Sequence, residues 1–167
     1  MKTGLIVFVI AVVVFALDAF SKAWALGHLH EGMLAPFIPG VLQLTLTTNT
    51  GGAFGIGRDF KGLMTLLPMA ICAGIVYWIF RREKSGPPLH ILEIVGLSLV
   101  LGGASGNIFD RLVRGRVTDF LDFAFMSFPV FNVADALIDV GVALIVMHSL
   151  FGGAYQPKAT NTGEQNG

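Results

Sequence analysis

The chain has 167 residues, of which 54% are hydrophobic and only 13% charged, with a mean hydropathy of +0.73. A soluble domain is roughly half apolar and a quarter charged, so this composition excludes one and implies an integral membrane protein. The formal net charge of +0 offers no bulk attraction for nucleic acid, and one cysteine, Cys72, excludes an internal disulfide and a cysteine-based metal cluster.

Residues 4–26 are apolar over a length that crosses about 30 Å of hydrocarbon. Lys2 ahead of an apolar run and Ala23-Trp24-Ala25 behind it imitate a cleaved export signal, but the run is too long and carries Asp18 and Lys22. Those two are four apart, share a helical face and can pair, whether for structure or for function. Residues 27–61 form a mixed loop with Pro36, Pro39 and Gly40. Within it, Leu42, Leu44 and Leu46 alternate with Gln43, Thr45 and Thr47 and predict a short strand at 41–47 with one wet face. Thr48-Asn49-Thr50-Gly51-Gly52-Ala53-Phe54-Gly55 follows; its glycines suit tight turns or close approach to a ligand, but no Gly-Lys-Ser/Thr makes it a phosphate cradle.

The second span covers about 62–80 and ends in Tyr77, Trp78 and Phe80, an aromatic interface belt; Cys72 in its middle reads as a small buried hydrophobe. Arg81 to Pro88 is predicted to be a short basic turn. The third span, about 89–109, carries Gly102 and Gly106, a small-xxx-small pair that lets another helix approach, and Asn107, Asp110 and Arg111 continue its face into the interface. The fourth span is about 131–150. Residues 1–151 thus read as one integral membrane domain, and 152–167 as a polar, disordered tail.

Asp119 and Asp135 are acids close to apolar spans, and a carboxylate there is a functional hypothesis by default. Asn132 and Asp135 share a helical face about one turn inside the fourth span, and folding back of the preceding segment would bring Asp119 against them. A proton shared by two carboxylates makes one an acid and the other a base. By spacing alone, Asp139, four residues beyond Asp135, could be its partner instead. Ser105 and Ser127 lack a histidine in the same blocks, and His28, His30, His90 and His148 form no HExxH helix, so neither a serine route nor a metalloprotease is favoured. A small proton-coupled transporter is the alternative, since it too places acids in spans, although no internal repeat is seen and the acids gather toward one surface.

Five blocks, in order, resemble the signature of lipoprotein signal peptidase, or signal peptidase II. They are Asp18-Ala19-Phe20-Ser21-Lys22, Asn49-Thr50-Gly51-Gly52-Ala53-Phe54, Gly106-Asn107-Ile108-Phe109-Asp110-Arg111, Val117-Thr118-Asp119-Phe120 and Phe131-Asn132-Val133-Ala134-Asp135. The resemblance implies four transmembrane helices with a small extracytoplasmic β-sheet between the first and second spans. It implies an aspartic endopeptidase that cleaves bacterial prolipoproteins before a lipid-modified cysteine, with diacylglyceryl-modified precursors and membrane lipids as partners and no cofactor, metal or nucleic acid. It places the catalytic dyad on Asp119 and Asp135, polar site residues on Asn49, Asn107, Arg111 and Asn132, and supporting residues on Asp18, Lys22 and Asp110. It asks for no acid at Asp139, which then reads as a neutral or hydrogen-bonded structural acid.

Four spans put both termini on one side. Basic residues are balanced across the two sides, but the tight Arg81, Arg82, Lys84 cluster on a short loop places that side in the cytoplasm. The expectation is a monomer in the bacterial inner membrane, with its site near the extracytoplasmic face.

Overall fold

A computed structural model describes residues 2–49 and 61–151. Helix α1 spans Lys2–His28, strands β1 and β2 are Ala35–Ile38 and Leu42–Asn49, α2 is Lys61–Ser85, α3 is Ile91–Arg114, β3 is Val117–Phe123 and α4 is Val133–Phe151. All four helices are long and apolar enough to cross a membrane, as their hydropathy predicts. The turn expected at 50–55 and the tail expected at 152–167 lie outside the described residues.

Helix α3 is the central one, packed against α1, α2 and α4. Its glycines make this possible. A Cβ on Gly96 would stand 2.7 Å from the Gly141 carbonyl oxygen of α4, one on Gly103 would stand 2.7 Å from that of Ala134, and one on Gly102 would stand 2.6 Å from that of Ala11 in α1. Only glycine permits backbones this close, which bears out the small-xxx-small reading and extends it to a second face. Between α1, α2 and α3 lies a core of Val7, Ile79, Leu89, Leu97 and Leu101, against which Cys72 packs half-buried. The outward faces are apolar and exposed, as at Leu5, Phe8, Val12 and Leu150, because lipid is their solvent.

Helix ends explain two boundaries that differ from expectation. Arg81, Arg82 and Lys84 are not in a turn: α2 continues to Ser85, so these cations sit where the carbonyl end of the helix favours them. The chain then turns through Pro87 and Pro88 to His90, whose side chain accepts from Leu92 N at 3.2 Å while Glu93 Oε2 accepts from His90 N at 2.9 Å, a capping box that starts α3. Gly115, at φ 70°, ends that helix in a left-handed cap that a residue with a Cβ would resist.

The sheet is antiparallel in the order β1-β2-β3. Its first two strands lie between α1 and α2 as expected. The third, arriving from the α3–α4 connection, is an addition to the expected sheet, and it carries Asp119 opposite Thr47 of β2. The face of β2 predicted to be wet is not uniformly so. Thr45 is buried, and an irregularity in the pairing between Leu44 and Thr47 interrupts the simple alternation. Leu44 and Leu46 pack on Ala25, Leu29 and Phe120, seating the sheet on the end of α1. Burying a side chain such as Phe120 contributes about 1.5–3 kcal/mol.

Candidate active site

Helix α1 brings Asp18 and Lys22, α3 brings Asn107, Asp110 and Arg111, β3 brings Asp119, and the first turn of α4 brings Asn132 and Asp135. The last two elements are fixed to each other through Phe131. Its carbonyl oxygen accepts from Phe120 N at 3.0 Å and Leu121 N at 2.8 Å, and its own N–H donates to Leu121 O at 2.9 Å. This clasp delivers the start of α4 to the flank of Asp119.

The spacing of Asn132 and Asp135, expected to put them on one face, has a more specific meaning in the fold. Asn132 caps α4: its Oδ1 accepts from Asp135 N at 3.0 Å, and Asp135 Oδ2 accepts from Asn132 N at 3.2 Å. This reciprocal pair satisfies two orphan donors of the helix start. The spare Asn132 Nδ2 donates to Asp119 Oδ1 at 2.6 Å and to Asn107 Oδ1 at 3.2 Å. Asn107 Nδ2 in turn donates to Asp135 Oδ1 at 2.7 Å. Two amides thus bridge the two carboxylates, one to each.

Behind them lies a buried ionic group. Lys22 Nζ stands 2.7 Å from Asp18 Oδ2 and 3.5 Å from Asp110 Oδ2, and donates to Asn107 Oδ1 at 2.8 Å. Asp110 also pairs with Arg114 and accepts from Thr118 N at 3.0 Å. Asp18 Oδ1 accepts from Ala134 N at 3.0 Å, so an acid from α1 helps cap α4. Asp18 is 0%, Lys22 1% and Asp110 1% exposed; charges so enclosed survive only when paired and hydrogen-bonded. Gly106 leaves the room, since a Cβ there would lie 3.0 Å from Asp18 Cγ and closer still to its Oδ2.

A cavity of about 400 Å³ opens on these groups, lined by the polar Asn49, Asn107, Arg111, Asp119, Asp135 and Asp139 together with the apolar Val117, Phe123, Phe128, Pro129 and Ile138. Arg111 Nη1 donates to its own helix at Asn107 O, 3.3 Å away, and the guanidinium feels the charges of both Asp135 and Asp119. Burial pushes the Asp119 carboxyl up to about 7; the nearby charge of Asp135 adds to this, and hydrogen bonds from Asn132 and Asn49 oppose it. Such a group keeps or yields a proton near neutral pH.

All nine residues expected at the site are therefore gathered at the cavity or directly behind it. Asp139 differs from expectation: it is exposed on the cavity wall and has no hydrogen bond or ion pair among the described residues. The pairing of Arg114 with Asp110 and the aromatic lip were not foreseen. An i, i+4 pairing with Asp110 could have flagged Arg114, whereas the contacts of Phe123 with Phe128 and Phe131, at ring separations of 5.6 and 5.1 Å, depend on how β3 folds back.

Four spans around a cleft holding two bridged carboxylates define a multi-pass membrane protein equipped for acid–base chemistry. The model of the family described as signal peptidase (SPase) II matches residues 10–151. The chain belongs to that family, one of aspartic peptidases, which sets aside the transport alternative. Similar proteins include the lipoprotein signal peptidases of Nostoc punctiforme, 37% identical over 92% of this chain and 91% of the relative, and of Gloeobacter violaceus, 41% identical over 84% and 79%. A solved structure described as a bacterial membrane enzyme is 28% identical, covers 96% of this chain and 93% of its own, and superposes with a TM-score of 0.77. A second such structure is 30% identical over 87% and 92%, at 0.76.

Proposed function

We propose that Asp119 and Asp135 are the catalytic dyad with which this signal peptidase II cleaves diacylglyceryl-modified prolipoproteins before the lipid-bearing cysteine. The observation that carries this is the pair of carboxylates, one from β3 and one from α4, bridged by Asn132 and Asn107 on a shared cavity. Both oxygens of Asp135 accept N–H donors, which suits the anion. The pair shares one proton near neutral pH, the Asp119 carboxyl being raised to about 7, and we assign that proton to Asp119. Asp135 takes a proton from a water between the two while Asp119 polarises the scissile carbonyl; the proton gained then serves the leaving amine. Water adds to the carbonyl carbon and the C–N bond breaks, with no covalent enzyme intermediate.

Arg111 and Asn49 position the substrate, and Asp18, Lys22 and Asp110 hold the dyad's frame. The precursor enters sideways from the bilayer past Phe123 and Phe128, because each CH₂ of its acyl chains withdrawn from lipid costs about 0.8 kcal/mol. Both carboxylates come from one chain, so a monomer suffices. The dyad faces the extracytoplasmic side of the inner membrane, with both termini in the cytoplasm.

The test is cleavage of a diacylglyceryl-modified precursor in proteoliposomes. Asp119→Asn and Asp135→Asn each lower kcat by at least about 10²–10⁴-fold, whereas Asp139→Asn keeps most activity and the Arg111 and Asn49 alanine variants turn over at high substrate. An active Asp119→Asn beside a dead Asp139→Asn would overturn the assignment, and equal rates on lipidated and unmodified precursors would overturn lateral entry.

A further inference from the structure

A second cavity, about 730 Å³, lies away from the carboxylates. It lies between α2 and α4 with α3 as its floor: Gly74, Ile75 and Trp78 form one wall, Ile145 and His148 the other, and Leu97 and Glu93 the base. Helix α2 packs chiefly on α3 and α1, and so leaves this side of α4 open.

The groove is aligned with the candidate active site. Ile138 lines the carboxylate cavity and Ile145 the groove, and the two are seven residues, about two turns, apart on one face of α4. On α3, Glu93 and Asn107 are fourteen residues apart, close to four turns, as are Leu97 and Arg111. Groove and cavity therefore lie along one track, with the dyad at one end and Glu93 at the other.

We infer that this track seats the apolar helix of the substrate's signal peptide, with the basic segment that precedes it held at Glu93. The inference rests on the peptidase reading and adds to it where the non-scissile part of the substrate lies. Length supports it. Fourteen residues of α3 measure about 21 Å at 1.5 Å per residue, and an export signal has an apolar region of about 7–15 residues between its basic start and its cleavage site, up to about 22 Å if helical. With the scissile bond at Asp119 and Asp135, the basic segment arrives level with Glu93. Charge supports it as well. Glu93 is the acid of the groove, its side chain 19% exposed, and its ion partner among the described residues is His148 at 3.5 Å, a group charged only when protonated. His148 is itself stacked on His90 with ring centres 4.5 Å apart.

Gly74 supplies the test, because a Cβ built on it meets nothing within 4 Å. A side chain there projects into the groove without disturbing the packing of α2. Cleavage in proteoliposomes is measured on two substrates: a full diacylglyceryl-modified precursor, and a short diacylglyceryl peptide that spans the scissile bond but lacks the apolar and basic segments. Gly74→Phe is expected to lower the ratio of kcat/KM, full precursor over short peptide, at least tenfold. An unchanged ratio would overturn the inference and leave bilayer lipid as the occupant of the groove. Should Gly74→Phe fail to fold, Glu93→Gln decides, since the amide oxygen still caps His90 N. It is expected to raise KM for a precursor with a basic flank and not for one with a neutral flank; an equal effect on both, or none, would overturn the assignment. Loss of the peptidase reading itself looks different, with wild-type protein cleaving neither substrate.

Discussion

Asn132 holds Asp119 from the neighbouring element: its Nδ2 donates to Asp119 Oδ1 at 2.6 Å while its Oδ1 caps α4 on Asp135 N at 3.0 Å. One residue therefore starts the helix that bears one carboxylate and restrains the other. The two tasks are separable. Serine caps a helix about as well as asparagine but has no amide to reach Asp119, so Asn132→Ser should keep the melting temperature within a few degrees while kcat falls at least tenfold. Asn132→Ala should lose both, with about 0.5–2 kcal/mol of stability gone with the cap. Parallel thermal unfolding and cleavage assays check this, and full activity in Asn132→Ser would count against the bridging role.

Asp18 serves Lys22 and the Ala134 N–H at once. Asp18→Asn keeps an oxygen for Ala134 but removes the nearest countercharge of a lysine that is 1% exposed. Breaking a buried pair costs about 3–5 kcal/mol, so this variant should melt well below wild type in detergent. Its lipopeptide cleavage should fall as Asn107 shifts. Unaltered melting would show that Asp110 alone satisfies Lys22.

Gly106→Ala places a methyl group on Asp18, where atoms are already in contact. A chemically mild change should then behave like loss of Asp18, lowering both melting temperature and activity. Ser105→Ala, one position away on the exposed side of α3, serves as the control and should leave both unchanged.

The Asp119 carboxyl fixes a pH dependence. Its ordinary value is 3.8 and burial, with Asp135 nearby, raises it to about 7, so between these limits the folded protein holds a proton that the unfolded chain has released. The associated stability is complete below 3.8 and is lost as pH rises through about 7, by up to about 1.4 kcal/mol per pH unit. Asp119→Asn lacks this slope, and its melting temperature should gain on wild type from pH 5 to 8. Cleavage by the wild type should decline above about pH 7, where the pair loses its shared proton. Parallel melting curves for the two proteins across that range would contradict the assignment.

The spans were legible because lipid imposes a length and a composition that hydropathy reports directly, and the order of the five blocks, resembling a known signature, singled out the residues that the fold gathers around one cavity. Asp135 could be placed on a face from spacing alone. What could not be read were features created by distant partners. Strand β3 exists through pairing with β2, some seventy residues earlier, and neither segment carries a local sign of the other. The bonds of Asp18 to Ala134 and of Lys22 to Asn107 span 116 and 85 residues. Asp139 does share the cavity with Asp135, as spacing placed it, but spacing could not show that its side chain is exposed there and makes no hydrogen bond among the described residues.

The close approach of Gly96 to Gly141 and of Gly102 to Ala11 sets the spacing of α1, α3 and α4 by main chain against main chain. Such joints have almost no compliance, because no rotamer can give way. Helix α2 lacks them: neither Gly62 nor Gly74 touches another element. Any breathing that admits a prolipoprotein and discharges two products should thus be concentrated in α2. Spin labels should report a broad distance distribution between α2 and α4 and a narrow one between α1 and α3, and equal widths would contradict this division of the bundle into a stiff frame and a single yielding wall.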